Sequence, residues 1–89
     1  MKQYEEKLEH LFELILKLKT QEDCQDLFDD LCTRRELENM AERVYAARLL
    51  QEGMTYNQVI AQTEISSATL SRVSRCVQYG KGYSRFLKD

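Results

Sequence analysis

Proline is missing from this 89-residue chain, glycine occurs only at Gly53, Gly80 and Gly82, and His10 is the single histidine. Without proline, and with Leu, Glu, Lys, Arg and Gln abundant, the composition favours helices throughout and an all-α fold. The lone histidine, the lack of a Gly-rich phosphate loop and the lack of a nucleophile–base–acid set argue against an enzyme. No apolar run reaches the roughly 20 residues that a membrane span needs. Acidic residues fill the region after Met1, which does not read as a signal peptide, so no membrane partner is expected. The cysteines Cys24, Cys32 and Cys76 are odd in number and follow no pairing pattern, which reads as reduced thiols in a cytoplasm. Their spacing does not suit zinc, and they read as small apolar packing groups. Asp26, Asp29 and Asp30 lack the ligand order and central glycine of a calcium loop, so they read as a solvated face. The residues call for neither a metal nor a cofactor.

Charge of one sign is not dominant. The net charge is −2 and the pI is about 5.4, well short of the value above ~9 that would signal a nucleic-acid partner outright. The balance is uneven along the chain, however. Residues 1–53 carry 8 Lys and Arg against 13 Asp and Glu, and residues 54–89 carry 5 against 2. The second part is therefore positive, which suits a chain that turns one end to phosphate and keeps an acidic end away from it.

At this length the chain reads as one domain, 1–89, and a marginal one, since so small a domain buries only about 60–65% of its unfolded surface. Four pieces are expected within it: N-terminal dimerisation helices (1–32), a central helix (33–53), a helix-turn-helix (55–78) and a C-terminal tail (79–89). A first helix is expected over residues 2–19, with Tyr4, Leu8, Leu11, Ile15 and Leu18 in one stripe, Phe12 and Leu14 beside it and Leu16 nearly opposite. That arc is about 200° wide, more than one small helical core covers. Either a second subunit covers the rest, or the helix lies deep within the monomer.

Capping patterns mark the next joints. Thr20 with Asp23, Thr33 with Glu36 and Thr55 with Gln58 have the three-residue spacing of a capping box, and Ser66 is placed to cap one more helix. They open a short helix over 21–32, with Cys24, Leu27, Phe28, Leu31 and Cys32 inward, and a central helix from Arg34 to about Glu52. The central helix has a buried stripe of Leu37, Met40, Ala41, Val44 and Ala47. Tyr45 and Leu49 lie on another side, so it reads as wrapped on most of its circumference. Gly53 is placed to end it in a left-handed conformation.

Residues 55–78, TYNQVIAQTEISSATLSRVSRCVQ, carry the strongest signal. A helix over about Tyr56 to Gln62, a turn at Thr63-Glu64-Ile65 and a second helix from Ser67 read as a helix-turn-helix. Val59, Ile65, Leu70 and Val73 are spaced to wedge the two helices together. Leu70, Val73 and Val77 fall at i, i+3, i+7 and form a buried face. Ala68, Ser71, Arg72 and Arg75 form the opposite face, which is slim, polar and basic. A helix entering the DNA major groove needs such a face: small residues for close approach, hydroxyls for base edges and guanidiniums for phosphate or guanine. The plainer alternative is a solvated helix beside a core. Beyond it, Gly80 and Gly82 should stop the helix, and Ser84 to Lys88 should add a last turn, with Phe86 and Leu87 on the core. Lys81, Arg85 and Lys88 read equally as DNA-backbone contacts or as ordinary terminal charges.

The stretches LCTRRELENMAERV (31–44), LLQEGMTYNQ (49–58) and SATLSR (67–72) resemble the bacterial Trp repressor superfamily, and within it the Trp-repressor-like YerC/YecD branch. The likeness is specific over about residues 30–78 and extends to the first helices by pattern only. It implies a Trp-repressor-like, all-helical, intertwined homodimer that binds double-stranded DNA as a transcriptional regulator. By this likeness, base-facing positions fall on Ser67, Ala68, Thr69 and Ser71, with Ser66 capping their helix. Phosphate or sugar contacts fall on Tyr56, Asn57, Arg72 and Arg75. The corepressor pocket of the Trp repressor maps onto Thr33, Arg43, Arg72, Val73 and Cys76. Two of these depart from the family: Val73 replaces a pocket glycine and Cys76 a pocket serine. An isopropyl group then stands where a ligand ring needs space, so a different small molecule than L-tryptophan, or none, is expected. Glu64 also replaces the glycine usual before the turn, which implies an altered turn. The acidic residues 1–53 leave open a second reading: a protein-interaction module that kept the fold and lost DNA.

Overall fold

The computed structural model describes residues 2–87, and the helices among them are α1 (Lys2–Ile15), α2 (Gln21–Leu31), α3 (Arg34–Gln51), α4 (Tyr56–Gln62), α5 (Ser67–Tyr79) and α6 (Gly82–Phe86). No strand occurs among the described residues, in line with a proline-free composition that favours helices. The chain divides into two compact units, residues 1–33 and 34–89.

In the first unit α1 ends at Ile15, not at Lys19. The amides of Leu16, Lys17 and Leu18 bond back to Phe12, Leu14 and Ile15 at 2.9, 3.1 and 3.1 Å, which tightens and ends the turn. The cause lies at the start of the next helix. Thr20 must be extended (φ −132, ψ 165) for its hydroxyl to accept the Asp23 amide at 3.0 Å. The Asp23 carboxylate in turn accepts the Lys19 amide, also at 3.0 Å. That bond, with the smaller help of Thr20, holds the Asp23 carboxyl below its usual range. The cap of α2 therefore claims Lys19 and Thr20, and α1 has to stop before them. Among the described residues neither α1 nor α2 has a fully buried side chain. Tyr4, Phe12, Leu14 and Leu16 are exposed, and so are Cys24 and Leu31 from the expected inward face of α2.

The second unit holds the core. Ala46, Ala47, Leu49, Val59, Leu70 and Val73 are buried, and Leu50, Met54, Ile65, Val77, Tyr83 and Leu87 pack around them. α3 packs against α5 and α4, and α5 against α6. Of the expected stripe of α3 only Ala47 is fully buried, and Leu49 joins it from the other side. The buried face is Ala46, Ala47 and Leu49, near the C-terminal end, while Ala41 is exposed and Val44 and Tyr45 are nearly half exposed. Alanines suit this place, because a methyl-sized side chain lets a neighbouring helix approach closely. Gly53 closes α3 at φ +95, a left-handed value that strains any residue with a Cβ. Gly80 ends α5, and its amide donates to the Cys76 carbonyl at 2.8 Å. A Cβ there would lie 2.7 Å from the same oxygen, so only glycine fits. Gly82 does not stop a helix but opens α6. Leu87 reaches the core as expected; Phe86 does not, being 75% exposed, and Tyr83 takes that role. Arg85 instead lies over the Phe86 ring, 4.9 Å from its centre. Lys88 falls outside the described residues.

Candidate nucleic-acid interface

Two helices and one turn of the second unit carry the residues that the sequence singles out. α4 begins with a complete capping box. The Thr55 hydroxyl accepts the Gln58 amide at 3.2 Å, and the Gln58 side chain accepts the Thr55 amide at 2.8 Å. Tyr56 and Asn57 are thereby fixed in the first turn of α4, both exposed. A helix start presents unpaired amides and the positive end of the helix dipole, which favours an anion such as phosphate.

The turn to α5 uses no left-handed residue: among the described residues only glycine has positive φ. Glu64 therefore causes no strain where the family's glycine would stand. Thr63 is extended (φ −133, ψ 171). Its hydroxyl donates to the Val59 carbonyl at 2.9 Å and accepts the Ile65 amide at 3.4 Å. The Glu64 amide donates to the Glu42 carboxylate of α3 at 2.6 Å. Sequence reading misses Glu42, because this bond joins residues 22 positions apart and no local pattern encodes it.

Ser66 then caps α5. It is extended (φ −77, ψ 159), accepts the Thr69 amide at 3.2 Å and donates its hydroxyl hydrogen to the Thr69 hydroxyl at 3.0 Å. Thr69 is half-buried and serves this cap with its oxygen, which leaves its own hydroxyl hydrogen for an outside acceptor. Past the cap the helix divides cleanly in two. Leu70 and Val73 are 0% and 2% exposed, and Ser74 is buried with its hydroxyl accepting the Gln78 amide group at 3.3 Å. Ser67, Ala68, Ser71, Arg72 and Arg75 are exposed. Ala68, Ser71, Arg72, Arg75 and Cys76 line a shallow open depression of about 510 Å³. No Asp or Glu occurs from Ile65 to Lys88, and among the described residues no carboxylate pairs with Arg72 or Arg75. Two guanidiniums and three small side chains thus stand together on one helical face, with their donors free.

The residues mapped to a corepressor pocket fall differently. Val73 is a core residue, in the cluster with Leu70 and Val59. Arg43 and Cys76 are half-buried and Arg72 is exposed. Thr33 is exposed and belongs to the first unit. Lys81 and Arg85 are exposed near the C-terminal end.

Helices around a small alanine-lined core, with a capped, basic, carboxylate-free helix face turned outward, define a small all-helical protein. A profile of the Trp repressor protein family matches residues 6–89, and the chain belongs to that family. It is 49% identical over 73 residues to the uncharacterized protein YerC of Bacillus subtilis strain 168, spanning 82% of this chain and 70% of YerC. Among solved structures, a Trp repressor candidate from Staphylococcus aureus superposes with a TM-score of 0.85 at 38% identity, over 90% of this chain and 81% of that one. A TrpR-like protein from Eubacterium eligens ATCC 27750 gives 0.85 at 40%, over 90% and 84%. Among the described residues no helix is long and apolar enough to cross a membrane.

Proposed function

We propose that this chain is a sequence-specific DNA-binding transcriptional regulator that works as a homodimer. The observation that carries the reading is the two-sidedness of α5: Leu70 and Val73 are locked into the core while Ser67, Ala68, Ser71, Arg72 and Arg75 face outward. In this reading α4, the turn and α5 form a helix-turn-helix. The N-terminal part of α5 enters the major groove, and Ser67, Ala68, Thr69 and Ser71 test base edges there. Arg72 and Arg75, with Tyr56 and Asn57 at the start of α4, hold the backbone on either side. Two copies present two such helices about 34 Å apart, one turn of B-DNA.

The homodimer is supported by the first unit, whose helices bury no side chain fully and expose Tyr4, Phe12, Leu14 and Leu16. Large apolar side chains left exposed on helices mark a surface that suits a second chain. Intertwining of the N-terminal helices of two copies supplies the cover. L-tryptophan is not the signal in this reading, because the Val73 side chain is part of the core and holds α5 in place permanently. Micromolar binding of L-tryptophan by isothermal calorimetry would overturn that point.

Selection of bound duplexes from a random pool, followed by fluorescence anisotropy, tests the main reading. The expected result is a preferred sequence with twofold-related half-sites and an affinity that falls steeply with salt. Flat anisotropy at tens of micromolar protein and low salt, against every duplex, would favour the protein-interaction module instead.

A further inference from the structure

Besides the Thr63 hydroxyl on the Val59 carbonyl of α4, the turn between α4 and α5 is attached to the rest of the unit at two points. Ile65 packs on the core, and the Glu64 amide donates to the Glu42 carboxylate at 2.6 Å. A backbone amide that donates to a carboxylate makes a charge-assisted hydrogen bond, stronger than one between neutral groups. Backbone strain plays no part in the turn's path, since the flanking Thr63 and Ser66 are in ordinary extended conformations; the Thr63 hydroxyl ties it to α4, and the Glu42 carboxylate ties it to α3. Ser66, which caps α5, lies two residues past Glu64. Whatever fixes Glu64 therefore helps to fix the first residues of α5, ahead of Leu70.

We infer that Glu42 is a positioning residue for the recognition helix: its carboxylate latches the turn, and DNA affinity depends on the latch. This rests on the DNA-binding reading above. With the latch open the turn and the first residues of α5, ahead of the core-anchored Leu70 and Val73, sample several orientations, and apparent affinity falls by the fraction of chains that hold the competent one. The sign of the effect separates this role from simple electrostatics. Removing a carboxylate from a protein that binds a polyanion ordinarily tightens binding. Loss of the Glu42 latch does the opposite.

The test compares the full chain with Glu42→Ala, Glu42→Gln and Glu42→Asp, by anisotropy on a selected duplex and by NMR hydrogen exchange at the Glu64 amide. Glu42→Ala is expected to weaken binding roughly three- to tenfold, the worth of one net hydrogen bond, and to speed exchange at Glu64. Glu42→Gln keeps an acceptor oxygen at the same reach, so it should bind like the natural chain or more tightly. Glu42→Asp keeps the charge but is one methylene short, and should behave as the alanine variant does. The inference is overturned if Glu42→Ala binds as well as the natural chain or better, if Glu42→Asp is indistinguishable from it, or if the Glu64 amide does not respond. If the natural chain binds no duplex, the DNA reading falls and the affinity claim with it, while exchange at Glu64 still decides whether Glu42 holds the turn. Should the alanine variant not fold, the Gln and Asp pair carries the comparison.

Discussion

Replacing Arg72 with alanine separates what α5 does for folding from what it does for binding. The guanidinium is exposed and, among the described residues, pairs with no carboxylate. Alanine is also the better helix former, so stability should change by no more than about 0.5 kcal/mol. Binding should change far more. Each phosphate neutralised releases condensed counterions and adds about 0.9 to the slope of log affinity against log salt. The proposed homodimer carries Arg72 twice, so the variant should flatten that slope by about 1.8, and the pair Arg72→Ala with Arg75→Ala by about 3.6 if both arginines meet phosphate. Titrations of one duplex by fluorescence anisotropy across several salt concentrations give the slope directly, and urea unfolding of the same samples gives the stability. The loss should be similar for selected and random duplexes if the contact is to phosphate, and larger for the selected one if Arg72 reads guanine. A slope equal to that of the natural chain, with folding intact, would refute the assignment of Arg72 to the backbone.

Other perturbations have equally direct readouts. Leu70→Ala, at a fully buried position of the same helix, should cost about 2–5 kcal/mol in urea unfolding; a loss under about 1 would mean that the core does not depend on it. Gly53→Ala should cost about 1 kcal/mol through its φ of +95 alone, because the space around the site is open. Asp23 has a carboxyl held below its ordinary value, chiefly by the Lys19 amide. A carboxylate stabilised in the folded state contributes above its unfolded pKa, and the contribution fades as pH falls through the lower folded value. The start of α2 should therefore loosen from about pH 4 downward, seen as movement of the Lys19 amide resonance. Asp23→Asn should remove that pH dependence; an unchanged profile in the variant would place the titrating group elsewhere.

How much of the molecule is legible in its sequence depends on how local each signal is. Thr55 with Gln58, and Ser66 before α5, are decided within three residues, so spacing alone identifies the caps. The two faces of α5 are legible for a similar reason, because its apolar and polar residues separate at helical period. α3 is legible as a helix but not in its orientation. Its apolar residues surround the axis, and only the neighbours decide that Ala46, Ala47 and Leu49 lie inside while Val44 does not. The end of α1 depends on a competition, in which the Thr20 cap draws Lys19 away from a helix that its sequence could have continued. The tie from Glu64 to Glu42 leaves no trace in the sequence, because one glutamate among many gives no sign of which amide it will meet. Phe86 and Tyr83 show the same limit. Both are aromatic and three residues apart, and the early start of α6 at Gly82 decides which one meets the core.

The division of α5 into an anchored side and a free side also bears on how such a protein can diverge. The inward residues are held to their sizes by the alanines they meet. The outward ones touch little of their own chain, so exchanging them leaves the scaffold undisturbed. If α5 reads DNA as proposed, a gene copy acquires a new target by a handful of substitutions at Ser67, Ala68, Ser71 and Arg72, without passing through unfolded ancestors.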